Sequence, residues 1–239
     1  FAEDYQVVEV APGVRLLRFA MVYGANASGK SNLLSVIRFL GSFWRNIPQS
    51  VDEGTNIIPF LLDFETPNNP SEFEIIFYVE NKKYWYQLTI DKQAVVSEKL
   101  FVYNSVQPTL LFDRKLENDQ SVIHYGAPIK ISSVEKEKIT VECLKNMSFF
   151  AARNKVNISL PEIDEAKQWV LKHIMPIVAP ETSLFATSIY HSSFCTFLFS
   201  IFISITPIFP KILPFFYYSP FFIKFLYCSN VLSFLYAKE

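Results

Sequence analysis

"VRLLRFAMVYGANASGKSNLLSVIRFL" (residues 14–40) is the stretch that decides the fold of this chain. An apolar run closed by Gly24 is typical of a core strand, so we predict a buried strand over residues 14–24. From Lys30 to about Phe43 apolar residues cover most of a helical surface, so we expect a buried helix rather than a surface-amphipathic one. The stretch therefore predicts a strand, a loop and a helix in that order.

The loop in this stretch matches G-x-x-x-x-G-K-[ST] at every fixed position. Its glycines let the backbone approach phosphate groups closely and direct successive N–H groups at them, while the following helix adds its positive end. Lys30 reaches the β- and γ-phosphates, and the Ser31 hydroxyl binds Mg²⁺. The predicted nucleotide-binding residues are Gly24, Ala25, Asn26, Ala27, Ser28, Gly29, Lys30, Ser31 and Asn32, with Ser31 as the Mg²⁺ ligand. A chance glycine-rich turn is the alternative, and the flanking strand and helix weigh against it.

Five strand-like runs follow, at residues 72–80, 84–91, 94–104, 109–115 and 121–126. Their short connections, notably residues 81–83, predict an antiparallel meander rather than a βαβ repeat. Two later segments, residues 132–146 and 160–177, predict helices, the second opened by Pro161 and early acids. The middle of the chain is thus an inserted β layer followed by helices.

Composition limits the functional classes only loosely. The net charge of −1 argues against a nucleic-acid binder that relies on overall basicity. The three cysteines are widely spaced and odd in number, and no signal peptide is visible, so we expect a reducing, cytoplasmic location. The histidines His124, His173 and His191 have no Glu or Cys at ligand spacing, so they predict no metal site.

The last part of the chain has a different amino-acid composition. Residues 184–239 hold 12 of the 24 Phe, three Lys, no Arg and one acid, Glu239. Residues 192–210 carry no charge, which is enough to span a bilayer, so one interpretation is a membrane anchor within residues 189–236. Four prolines and scattered Phe weigh against it. We favour the other interpretation, a frameshift near residues 187–193 in an AT-rich gene.

The quoted loop and helix, "YGANASGKSNLLSVIRFL", resemble the ABC-type ATPase superclass that includes SMC, RecF and the overcoming-lysogenization-defect (OLD) nucleases. Within it the chain is similar to AAA15-type ATP-binding proteins of bacterial defence and abortive-infection loci. The stretch "IIPFLLDFETPNNPSEFEIIFYVENKKYWYQLTID" resembles the β-rich arm that those proteins insert after the helix. The resemblance covers residues 6 to 187 approximately.

This resemblance implies binding of ATP and Mg²⁺, ATP-driven homodimerisation, and control of a nuclease or toxin effector. The loop residues alone carry over, because the chain has no L-S-x-G signature and no apolar run ending in Asp-Glu. We therefore assign no catalytic residue, leave direct nucleic-acid binding open, and expect weak or no ATPase activity from this chain alone.

The predicted fold class is α/β: a partial P-loop NTPase core, resembling ABC and SMC proteins, with an inserted antiparallel β layer, helices and a hydrophobic tail. Residues 1–50 form the N-terminal part of the ATPase core, 51–131 the β arm, 132–187 a helical segment and 188–239 the tail. We interpret the chain as a fragment of a defence ATPase, truncated at both ends. A membrane-anchored, non-hydrolysing nucleotide-binding protein and a decayed reading frame are the alternatives.

Overall fold

A computed structural model describes residues 7–17, 30–59, 66–174, 199–204, 223–228 and 231–236. Ten strands and four α-helices lie within these ranges. They are β1 (Val7–Ala11), β2 (Val14–Leu17), α1 (Lys30–Phe43), β3 (Ser71–Val79), β4 (Lys82–Ile90), β5 (Val95–Tyr103), β6 (Thr109–Glu117), β7 (Gln120–Tyr125), α2 (Ser133–Glu142), α3 (Phe149–Ala152), α4 (Pro161–His173), β8 (Phe199–Ser204), β9 (Ile223–Cys228) and β10 (Val231–Tyr236).

Strands β3 to β7 form the predicted antiparallel meander, each strand paired with the next one along the chain. Side chains alternate between a buried and a half-buried face, as in β3, where Phe73, Ile75, Phe77 and Val79 are buried. This period of two is what an antiparallel strand with one core face requires. The prediction of an antiparallel meander is confirmed, and its insertion into an ATPase core stays a prediction.

The turn between β3 and β4 differs from the expected one. Glu80 and Asn81 form it, both with positive φ (47° and 68°), and Lys82 and Lys83 already belong to β4. Two residues of positive φ are typical of the type I′ turn, whose twist matches that of the flanking strands. The expected turn over residues 81–83 was therefore placed one residue too late at its start and two too late at its end.

Three helices cover the buried face of the meander. Phe39 of α1 stacks on Phe73 with ring centroids 5.4 Å apart. Phe149 of α3 stacks on Phe112 at 4.1 Å, and Trp169 of α4 stacks on Phe77 at 4.5 Å. Apolar side chains of these helices and of strands β3 to β6 form one continuous cluster. The main core of the described residues thus lies between the meander and α1, α3 and α4.

Helix α1 has the predicted bounds, but the expectation that it is buried rather than amphipathic was wrong. Leu33, Ile37 and Leu40 face the core, whereas Ser35 and Arg38 are exposed. The spacing of three and four residues between the buried positions is that of an amphipathic helix lying on a sheet. The helix therefore has one apolar face and one exposed face.

The helical segment after the meander is more broken than predicted. Helix α2 ends at Glu142 and α4 ends at His173, inside the expected ranges of 132–146 and 160–177. Between them α3 and a 3₁₀ turn, Arg153–Lys155, were not expected. Pro161 does occupy the first turn of α4, with Glu162 and Asp164 close behind, as the sequence predicts.

The N-terminal described strands form a hairpin, β1 with β2, around a turn at Pro12 and Gly13. Gly13 has a φ of 75°, a left-handed conformation that favours glycine. The predicted strand over residues 14–24 is described only from Val14 to Leu17, and the rest lies outside the described residues. This hairpin packs against Tyr78 of β3 through a small apolar cluster.

Three segments of the C-terminal tail are strands that extend the meander, in the order β10-β9-β8-β3-β4-β5-β6-β7. Strand β8 pairs with the outer edge of β3 over Glu74, Ile75 and Ile76. Each of these segments is a strand of six residues, and the rest of the tail, residues 188–239, lies outside the described ranges. Within the ranges described here, none of the helices has the length and apolarity needed to cross a membrane.

The described architecture is mixed α/β, with a five-stranded antiparallel meander and four helices. The part of the fold class that concerns a P-loop core stays a prediction, because residues 18–29 lie outside the described ranges.

Candidate functional site

Helix α1 begins at Lys30, directly after the glycine-rich loop of the sequence. Lys30 and Ser31 are its first two residues, and Asn32 is exposed on its first turn. The remaining predicted residues, 24–29, lie outside the described ranges. The first turn of α1 carries no acidic residue, so no side-chain carboxylate of that turn opposes the positive end of the helix dipole. An anion would meet a favourable field at this end.

The other end of α1 is held by aromatic contacts. Trp44 follows the helix directly and is fully buried. Its ring meets Tyr86 of β4 edge to face at 5.4 Å and Phe150 of α3 at 6.3 Å. Such arrangements are favoured by aromatic quadrupoles, and they add to the apolar area that Trp44 buries. Trp44 therefore ties α1 to both the sheet and α3.

A second tie joins the C-terminal ends of α1 and α4. The Arg45 guanidinium donates to the carbonyl oxygens of Gly41, Leu171 and Ile174, the last at 3.1 Å. These carbonyls lie in the last turns of the two helices, where backbone acceptors lack helical partners and attract a cation. The helices come so close that a Cβ on Gly41 would lie 3.3 Å from the Ile174 oxygen.

A buried ion pair joins strands β5 and β6 of the sheet. Arg114 of β6 and Glu98 of β5 are neighbours across the strands, both fully buried, with Nη1 and Oε2 3.0 Å apart. Arg114 also donates to the Ser121 hydroxyl at 2.9 Å and to the carbonyl oxygens of Leu144 and Met147. Every nitrogen of the guanidinium has an acceptor, which is the condition under which a buried charge is tolerated.

Glu98 is just as completely paired. Its Oε1 accepts from the Tyr86 hydroxyl and from the Ser148 hydroxyl, both at 2.8 Å. Its Oε2 accepts from the Phe149 backbone N–H at 2.8 Å, at the N-terminus of α3. Burial, followed by the charge of Glu98, raises the pKa of Tyr86 well above its usual value, so the hydroxyl stays protonated and donates. Glu98 thus connects β4, β5, β6 and α3.

Asn146 connects the same region to the loop that follows α1. It is buried, and its Nδ2 donates to the carbonyl oxygens of Ser50 at 2.8 Å and Glu53 at 2.9 Å. The neighbouring Lys145 carbonyl accepts from the Val95 N–H at 2.7 Å, at the start of β5. The segment before α3 is therefore bonded on one side to the sheet and on the other to the loop after α1.

The other candidate groups have ordinary surroundings. His124 is exposed on β7, His173 ends α4 beside Trp169, and His191 lies outside the described residues. Burial, then the neighbouring Lys172, lowers the pKa of His173 to about 4. Burial also raises the pKa of the Cys143 thiol to about 11, so it is a poor nucleophile at neutral pH. Over the described ranges, no three His, Cys, Asp or Glu side chains gather as metal ligands.

Sequence reasoning proposed the residues around the start of α1, which stay a prediction, and missed the buried set near its end. The signal for Glu98 was present: it lies in phase with Leu100 and Val102 on the core face of β5. A lone acid in an apolar register indicates a buried carboxylate, but its partners in β6 and α3 are distant in the chain. They could not be named from spacing alone.

Part of the chain matches a known family model. Residues 19–137 match a family model described as "AAA domain, putative AbiEii toxin, Type IV TA system". The matched range includes the glycine-rich loop, α1, the whole meander and the start of α2. No curated protein and no solved structure matches the chain. The family match supports a P-loop ATPase-like protein of an abortive-infection family.

Proposed function

We propose that this chain binds ATP with Mg²⁺ through residues 24–29, Lys30 and Ser31, as an ATP-binding fragment of a defence ATPase similar to the AAA15-type and OLD proteins. Lys30 would hold the β- and γ-phosphates, and Ser31 would hold the metal, which neutralises phosphate charge when bound. Asn32 would lie beside them on the first turn of α1.

The observation that carries the proposal is the start of α1. The helix begins at the lysine of the glycine-rich motif, and its first turn has no acid that would repel phosphate. Backbone N–H groups at a helix start are unpaired donors, and Lys30 and Ser31 supply a cation and a hydroxyl. The donor set therefore suits a nucleoside triphosphate with a hard divalent cation. The match over residues 19–137 supports the same chemistry.

In the intact relatives that the chain resembles, ATP binding drives homodimerisation and controls a nuclease or toxin effector. We propose the same role for the complete form of this protein. Turnover by the chain itself is expected to be weak or absent, because its sequence has neither L-S-x-G nor an apolar run ending in Asp-Glu. Those elements position the attacking water and a second carboxylate near the metal.

The test is thermal unfolding of the full chain with and without Mg-ATP. At a concentration about one hundred times its Kd, a ligand specific for the native state adds about 2.7 kcal/mol of stability, so the midpoint should rise. Lys30→Ala should abolish this rise, because the ammonium group that pairs with the phosphates is lost. Chelation of Mg²⁺ should reduce it.

The matched control is Lys92→Ala, which removes an exposed lysine from the turn between β4 and β5. This variant should keep the full rise. An equal rise in Lys30→Ala and Lys92→Ala would contradict a phosphate-binding role for the start of α1, and no rise in the unmodified chain would contradict ATP binding altogether.

A further inference from the structure

The candidate nucleotide site lies at the start of α1, which packs on the sheet through Leu33, Ile37 and Leu40 and is followed by the buried Trp44. Helix α1 has 14 residues, so Lys30 and Trp44 lie about 20 Å apart along its axis. On a rod of this length a tilt of about 3° at one end moves the other end by about 1 Å. A shift of that size is enough to weaken a positioned phosphate contact.

The aromatic contacts of Trp44, at the far end of α1, converge on one carboxylate. Trp44 lies against the rings of Tyr86 and Phe150, 5.4 and 6.3 Å away between centroids. The Tyr86 hydroxyl donates to Glu98 directly. Phe150 is held through its N–H, which donates to the Ser148 hydroxyl at 3.1 Å, and Ser148 donates in turn to Glu98.

We propose that Glu98 is a positioning residue for the nucleotide site. Glu98 holds Tyr86 and the N-terminus of α3, which together form the packing site of Trp44. The position of Trp44 in turn sets the position of α1 and therefore of Lys30 and Ser31 at its start. This inference rests on the proposed function. Glu98 is buried between the sheet and α3, and in this proposal it acts on the site through α1.

Arg114 makes this arrangement specific to a carboxylate. An unpaired carboxylate in this fully buried position would be costly, and Arg114 supplies the matching charge at 3.0 Å. The guanidinium also binds the carbonyls of Leu144 and Met147, which fixes the segment that leads into α3. The pair therefore orients α3 and Tyr86 together.

The chain offers a closely matched pair of variants. Tyr86 and Tyr84 are both fully buried on β4, and each hydroxyl donates to a carboxylate. Tyr86 donates to Glu98 on the route to Trp44, whereas Tyr84 donates at 3.0 Å to Glu165 of α4. Burial, then the nearby carboxylate, raises the pKa of each phenol. Phenylalanine at either position removes one hydroxyl and keeps the ring.

The experiment measures hydrogen exchange of backbone amides and Mg-ATP affinity in the full chain, Tyr86→Phe and Tyr84→Phe. Tyr86→Phe should speed exchange in α1 about fivefold, as expected for the loss of one hydrogen bond, and raise the Kd of Mg-ATP by a similar factor. Tyr84→Phe should speed exchange in α4 and leave the Kd within about twofold.

Each outcome decides the inference. Equal exchange of α1 in the two variants, or a parallel rise in both Kd values, would show that Tyr86 contributes only to general stability. Glu98→Gln is the stronger variant and should exceed Tyr86→Phe in both measurements if it folds. If the unmodified chain binds no Mg-ATP, the proposed function fails and with it the nucleotide part of this inference. Exchange of α1 then still shows whether Glu98 positions the helix.

Discussion

Arg114 shows how a single charged residue can organise the interior of this protein. Its guanidinium is fully buried and bonded to Glu98, to Ser121 and to two carbonyl oxygens of the segment before α3. A buried ion pair is weak evidence for stability, because desolvation offsets much of the attraction. Breaking the pair is different, since the partner is left charged and without a counter-charge.

We predict that Arg114→Met destabilises the chain by about 3 to 5 kcal/mol, because Glu98 and the carbonyls of Leu144 and Met147 lose their donor. The measurement is the urea concentration at the midpoint of unfolding, with far-UV circular dichroism as the signal. Lys115→Met is the control on the same strand. Its ammonium is half-exposed and lies 3.8 Å from Asp113, so its loss should change stability by less than about 1 kcal/mol.

At the level of elements, α2 depends on its cap more than on its packing. Ile139 is its one buried residue, and Val134 and Val141 are exposed. The start of the helix is satisfied by a capping box, in which Ser132 and Glu135 exchange hydrogen bonds between side chain and backbone. A helix of ten residues with little apolar burial gains much of its stability from such a cap.

Ser132→Ala is therefore expected to destabilise the chain by about 1 kcal/mol and to increase the hydrogen exchange of α2. Ser133→Ala alters the next residue, which is exposed and lies inside the helix, and it should be neutral or slightly stabilising, since alanine has the higher helix propensity. Similar losses in the two variants would indicate that the cap contributes nothing measurable.

At the level of the whole molecule, the described residues share a main core. Helices α1, α3 and α4 lie on one face of the meander, and their apolar side chains form a single cluster with those of the strands. The three tryptophans lie at different places in the sheet and helices: Trp44 after α1, Trp85 in β4 and Trp169 in α4. A common core of this kind predicts that these elements lose their structure together.

We expect one cooperative transition, with coincident midpoints for tryptophan fluorescence and far-UV circular dichroism in urea. The reason is that neither the sheet nor the helices can keep their apolar faces buried alone. Two separated transitions would contradict a shared core, and a gradual loss of signal would favour the decayed reading frame.

The features that follow from local pattern were predictable from the chain alone. The strand-like runs between residues 72 and 126 predict strands, and their short connections predict antiparallel neighbours. Pro161 with Glu162 and Asp164 marks the start of α4, and the apolar spacing marks α1. The nucleotide-binding assignment of residues 24–32 is likewise a statement about local chemistry, and it stays a prediction.

Other features depend on partners that are distant in the chain. Glu98 is buried because Arg114, Tyr86, Ser148 and Phe149 converge on it, and α1 shows one face to the core because one sheet lies beneath it. Local patterning specifies the period of an element, since the period is set by the backbone. The identity of what meets each face is decided by packing and by the pairing of buried charges, which exist only in the tertiary structure.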